Sequence, residues 1–281
     1  MSLFNQNQDK KIPLPSSRFL QFFYLFRINL GLLAAVSITS FAFFLPLLFT
    51  IMYSYTQFVS AYHNSMDSNS LFSILFITSL IIIPCILISG IGSMGTNHVI
   101  KKLIIGDYCK YSDFYIGIKE NFKNQFYFYI ISALSIFFVI FNFAIYLFID
   151  ISPIIKLVTL IASILIFTFT FLTKPYYILI SMLFENTKFL TLKNSYIIAL
   201  SKLFRNIGMS IVSISIYALF FLFTGTSKTI FSLVLIVIGG AFYSLVNLLN
   251  SLDVIEKTFD KSQLENLYHK GLIDEKNNNK L

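Results

Sequence analysis

Few residues of this chain are spaced to do chemistry. Its three histidines, His63, His98 and His269, stand 35 and 171 positions apart. A metal site needs converging His, Cys or carboxylate ligands, and covalent catalysis needs an activated Ser or Cys beside its base. Neither pattern is legible. Cys85 falls inside an apolar stretch and Cys109 in a polar loop read as cytoplasmic, so both read as ordinary packed thiols. The phosphate-cradling pattern G-x-x-x-x-G-K-[ST] is absent, so any ATPase serving this protein is another chain. The chain is read as non-enzymatic, with no cofactor and no metal.

What remains is the chemistry of contact. Gly90, Gly92 and Gly95 share one apolar stretch, just before His98. Small residues at such spacing let helices approach closely in lipid. Close packing is the reading adopted; a local helix break is the alternative. A second candidate is a cytoplasmic contact surface of Asp113, Phe114, Lys119, Asn121, Phe122 and Lys123. Asp113 opens a helix, where a carboxylate meets unpaired N–H groups and the positive dipole end. Phe114, Ile118 and Phe122 recur at i, i+4 and i+8 and form an apolar stripe. Such a stripe can bury against the protein's own spans, against lipid or against a partner. Asn142, Asn247 and Asn250 are the polar groups at membrane depth, read as interhelical hydrogen-bonding groups. No span interior carries a charge, which argues against a proton relay or an ion-coupled pump.

The elements that hold these residues are long apolar helices. Six stretches, at 29–52, 71–96, 126–149, 157–173, 208–225 and 229–250, are each roughly long enough to cross a bilayer core. Charged residues make up 12% of the chain, against about 25% in a soluble domain. No Asp, Glu, Lys or Arg occurs among the 33 residues from 68 to 100. The chain has no Trp, so tyrosines near the predicted ends supply the aromatic interface belt. The expected fold is an all-α polytopic membrane bundle. It has a 1–28 N-terminal tail, a 29–250 transmembrane domain and a 251–281 C-terminal tail.

The formal charge of +8 does not mark a nucleic-acid binder, because its distribution follows the membrane. Residues 53–70 hold no Lys or Arg and residues 97–125 hold five. This alternation places both termini in the cytoplasm. Phe19, Phe22, Phe23 and Phe26 give residues 14–27 an aromatic face, as an interfacial helix entered through Ser16 or Ser17 or as an extension of the first span. Amphipathic cytoplasmic helices are expected at 112–125 and 188–205. Residues 261–270 read as a short helix stopped by Gly271. An internal repeat at an offset of 82 pairs Phe114, Gly117, Phe122 and Asn124 with Tyr196, Ala199, Phe204 and Asn206. Both copies start from one side of the membrane, so the repeat is parallel.

The run from Gly90 to Thr96, then Lys101-Lys102, Ser112-Asp113-Phe114, Lys119 and Asn121-Phe122-Lys123, resembles the YesL-like family of bacterial membrane proteins. Pro175, Asn194-Ser195 and Phe204-Arg205-Asn206 extend the resemblance over roughly residues 15–260. Ile91 departs from it, where that family usually has proline. The resemblance implies six spans, no assigned catalytic activity and a setting beside bacterial carbohydrate-uptake transporters. It carries over no site residues. Two functions follow as expectations. The first is an accessory or regulatory subunit for sugar uptake, with components of a sugar ABC transporter as partners. The second is a permease subunit whose ATPase is a separate chain.

Overall fold

The computed structural model describes residues 14–65, 67–259, 268 and 270–272. Among them every regular element is helical. Ser17 accepts a hydrogen bond from the Leu20 amide and starts α1, Arg18–Ile28. Asn29 leaves helical geometry at φ −108° and ψ 21°, and α2 begins at once, Leu30–His63. So α1 is a separate short helix, not an extension of the first span. Its aromatic face is split. Phe19 and Phe23 are exposed, while Phe22 packs edge-on against Phe242. The side turned inward carries Arg18 and Gln21 together with Leu25.

Helix α3, Ser68–Ile105, stops at Gly106, whose φ of +82° is open to glycine at little cost. The Asp107 amide then donates back to the Lys102 carbonyl and closes the turn. Helix α4 runs Asp113–Phe148, and α5 runs Pro153–Leu183 with proline in its first turn. Thr187 caps α6, Lys188–Ser201. Helix α7, Leu203–Ala218, continues through a 3₁₀ turn, Leu219–Leu222. The last crossing is composite: α8, Gly225–Val234, a five-residue π-helix, Leu235–Gly239, then α9, Gly240–Thr258.

Six of these segments are long and apolar enough to cross a membrane: Leu30–His63, Ser68–Ile105, Asp113–Phe148, Pro153–Leu183, Leu203–Leu222 and Gly225–Thr258. The chain is therefore an all-α, multi-pass membrane-type bundle. Several boundaries differ from the sequence expectation. The amphipathic stretch 112–125 and the span 126–149 are one unbroken helix, α4. The stretch 188–205 is instead broken at Lys202, with φ −125° and ψ 37°. The fourth crossing does not end at residue 173 but continues through Pro175 to Leu183. Of the expected 261–270 helix, only residues 268 and 270 lie within the described residues, and the 1–13 tail lies outside them.

One end of the bundle gathers the basic residues. There Gln21 Nε2 donates to the Ile104 carbonyl, Lys101 Nζ to the Met182 carbonyl, and Arg205 pairs with Asp253. These contacts set the ends of α3, α5 and α9 side by side with α1 and the start of α7. The principal core lies at this basic end and includes Leu33, Ile100, Phe114, Tyr176, Leu245 and Leu248. Toward the opposite end a smaller cluster, Ile82, Ile86 and Ala133, joins α3 and α4. Helices α7 and α8 are peripheral: α7 buries only Asn206 and Ser213, and α8 buries no residue.

Gly117 and Ala199, paired by the offset of 82 residues, both accept a side-chain amide, but from donors that the offset does not pair, since it sets Asn124 and not Asn121 against Asn206. The Gly117 carbonyl accepts the Asn121 amide, and the Ala199 carbonyl accepts the Asn206 amide, each at 2.8 Å. The donor lies four residues on in the first case and seven in the second, where the chain breaks at Lys202.

Candidate functional site

The glycine row lies on the side of α3 that faces α2 and α4. A Cβ on Gly90 would stand 2.6 Å from the Tyr129 ring, and one on Gly92 2.9 Å from Phe43 Cβ. At Gly95 it would meet the Phe114 ring at 2.7 Å and the Phe114 carbonyl oxygen at 2.8 Å. The row is answered from α4 by Gly117, where a Cβ would lie 2.3 Å from His98 Cβ. Helix α3 continues unbroken through all three of its glycines.

The second candidate separates into two groups. Asp113, Phe114 and Asn121 are buried inside the protein's own fold, so they are not part of an accessible contact surface. Phe114 is fully enclosed against Gly95 and Phe43. Asp113 accepts from the Lys110 amide at 2.7 Å and pairs with Lys102 at 3.0 Å, tying down the 106–112 loop. Asn121 approaches His98 Nδ1 at 3.3 Å. Lys119, Phe122 and Lys123 are exposed, with Phe122 stacked on Phe126. The reason is angular. A helix turns about 100° per residue, so residue i+8 lies about 80° round from residue i, whereas i+7 and i+11 lie within about 20°. The buried stripe therefore runs Phe114, Asn121, Gln125 and leaves Phe122 outside.

Cys109 lies in the loop that Asp113 fastens. Burial is the main cause that pushes its thiol up to about 12, and the neighbouring Asp113 carboxylate adds to it. It is a poor nucleophile. No group of three or more His, Cys, Asp or Glu converges among the described residues.

The feature that sequence reading missed is a partly open cavity of about 820 Å3 among the helices. Helices α2, α3, α5, α7 and the composite last crossing wall it. Its floor, toward the basic end, is polar and includes Ser37, Ser93, Asn97, Lys174, Ser244 and Asn247. Its remainder is apolar, lined by Phe44, Leu48, Met52, Ile214 and Phe221 among others. No His, Cys, Asp or Glu lines it. The wall is shaped by the π-helix: Ser37 Oγ donates to the Ile236 carbonyl at 3.2 Å and accepts from the Gly240 amide at 3.1 Å. Single-turn π-helices inside α-helices frequently mark functional sites.

Lys174 lies within the helix of the fourth crossing, not beyond its end. It sits nine residues before the end of α5 at Leu183, about 14 Å along the axis. Its ammonium lies 5.2 Å from the centre of the Tyr129 ring and makes no hydrogen bond or ion pair among the described residues. Lys174-Pro175 reads as a span terminus in the sequence; in the fold the helix carries it inward. Asn247 lines the cavity but spends an amide hydrogen on the Tyr243 carbonyl. Asn250 faces away from it into a polar cluster, where Arg205 donates to its oxygen at 2.9 Å and Tyr176 donates to Asn206.

No family model matches the chain, and no curated protein or solved structure matches it. The cavity's own chemistry is what remains: one cation, several hydroxyl and amide groups, and a long apolar wall.

Proposed function

We propose that this chain is a non-enzymatic, permease-type membrane subunit whose cavity is a small-molecule chamber. The observation that carries the reading is the cavity itself, with a polar floor at membrane depth inside an otherwise apolar bundle. Its volume falls within the roughly 300–1,000 Å3 of ligand pockets, which combine apolar walls with a few placed polar groups. The charge alternation supports placing both termini in the cytoplasm. The YesL-like resemblance supports a place beside carbohydrate uptake and the plasma membrane of a bacterium. Any driving ATPase is a second chain.

The accessory-subunit reading is favoured by a different observation. Phe189 and Phe204 are 75% and 89% exposed at the basic end, and Lys119, Phe122 and Lys123 are exposed on α4. These faces are free to meet lipid headgroups or a partner chain.

One preparation tests both. The chain is extracted from its own membrane in mild detergent, co-purifying chains are identified, and native mass spectrometry is run on the complex. A retained small molecule that is lost from a folded Ser93→Phe variant supports the chamber. An empty chamber in every preparation, together with recovery alongside a complete transporter, overturns it in favour of the accessory reading.

A further inference from the structure

We propose that the cavity takes an anionic amphiphile, a single carboxylate or phosphate head held at Lys174 with one hydrocarbon tail along the apolar wall. This rests on the chamber reading above and names its ligand class.

The head group follows from charge. Ionisable groups at membrane depth pair with one another or mark a ligand path. Lys174 pairs with no carboxylate among the described residues, and no acidic residue lines the cavity. Its ammonium lies over the face of Tyr129. An aromatic face tolerates a cation but supplies no anion. The complement of this floor is therefore one negative charge.

The floor also holds unspent hydrogen-bonding groups. Asn97 and Ser244 are 4% and 8% exposed and line the cavity. Neither side chain makes a hydrogen bond among the described residues. Their polar atoms open onto the cavity rather than being enclosed in protein, so a ligand there can pair them. An oxyanion accepting from Lys174, Asn97 and Ser244 would pair all three at once. A neutral sugar would pair the hydroxyl and the amide but leave the ammonium without a counter-charge.

The tail follows from shape. Ser37 on the floor and Met52 at the far end of the wall are 15 residues apart on α2, about 22 Å along the axis. Between them the wall is Phe44 and Leu48, faced by Ile214 and Phe221 from the other side. The last crossing touches both α2 and α7, and the far part of the wall is open to the surroundings. Met52 is 58% exposed there and Phe221 80%. A molecule lying in the cavity is thus parallel to the helices, with its head toward the basic end. That is the orientation of a lipid in the leaflet at that end, and the open part of the wall admits it from lipid.

The test uses the full chain in nanodiscs of zwitterionic lipid and four labelled probes: oleate, oleyl phosphate, oleyl alcohol and glucose. The expected result is saturable binding of the two anions, at least about tenfold tighter than the alcohol, as a charge-assisted contact gives. Lys174→Met should erase that advantage and leave the alcohol unchanged, while Lys174→Arg retains most of it. Should Lys174→Met not fold, Ser244→Ala serves in its place and should weaken both anions several-fold. The tighter of oleate and oleyl phosphate identifies a carboxylate or a phosphate ligand. Oleyl alcohol binding as tightly as oleate, or glucose binding where oleate does not, overturns the proposal and leaves the chamber standing. Binding of every probe that survives unchanged in the cavity-filled Ser93→Phe variant overturns both.

Discussion

Arg18, in the first helix, and Glu256, near the end of the last, form an ion pair with both side chains 5% exposed. The same guanidinium donates to Gln21 and to the Lys270 carbonyl, so α1, α9 and the C-terminal segment are fastened at one point. Removing one partner of a buried pair leaves an uncompensated charge, at about 3–5 kcal/mol. Glu256→Gln should therefore lower the unfolding temperature in detergent strongly. Arg18→Met with Glu256→Met should recover most of the loss, since replacing both charges by apolar groups of similar volume is often neutral. A double variant as unstable as the single one would show that the pair is not the main tie.

Glycine substitutions should divide by what a Cβ meets. At Gly117 and Gly95 it meets His98 and Phe114 at 2.3 and 2.7 Å, and packing is the main force between helices in lipid. Gly117→Ala and Gly95→Ala should each lower stability and yield. At Gly208 a Cβ meets nothing within 4 Å, and alanine gains up to about 1 kcal/mol of helix propensity there. Gly208→Ala should be neutral or stabilising by thermal unfolding. Equal effects at 117 and 208 would remove the α3–α4 contact as the cause.

Cys109 should alkylate slowly. A thiol pushed up to about 12 holds far less thiolate at pH 8 than an ordinary one, and the thiolate is the reacting species. In a Cys85→Ala background the iodoacetamide rate at pH 8 should be lower than that of an exposed thiol by roughly two to three orders of magnitude. The folded thiol binds its proton more tightly, so the rate should still be rising at pH 10. A rate that levels off near pH 9 would contradict the burial of this thiol.

Opposite ends of the bundle should label from opposite sides. Ser65 and Ser112 are both exposed, after α2 and before α4. With Cys85 and Cys109 replaced by alanine, Ser65→Cys should react with an impermeant reagent in intact cells and Ser112→Cys should not. The reverse pattern would invert the proposed topology.

Asn206 should prove structural. It accepts from Tyr176, donates to the Ala199 carbonyl, and so bridges the break between α6 and α7. Asn206→Leu takes this partner from the Tyr176 hydroxyl, the Ala199 carbonyl and the Asn250 amide, at about 1–3 kcal/mol for each group left buried and unpaired. A fall in stability without loss of ligand binding would separate this cluster from the cavity, and loss of binding at full stability would place it in the site.

The glycine row and the six crossings were legible because their signals are local. A run of apolar residues must cover its own backbone groups in lipid, and a helix is the solution whatever its neighbours do. The same holds for the alternation of basic loops, set by each segment's own composition. Which residue of α4 turns inward was not legible. Phe122 is as apolar as Phe114, and only the approach of α3 through Gly95 and Gly117 decides that Phe114 and Asn121 are buried. Lys174 is the sharper case. Beside Pro175 it reads as the end of a span, yet α5 runs on because Tyr176 and Tyr177 find partners in Asn206 and the Asn124 carbonyl. Those partners lie 30 and 53 residues away, so no window of sequence around Lys174 contains them. Sequence alone determined that helices cross the membrane and how many; the packing of distant helices decided that one lysine sits inside, facing an open chamber.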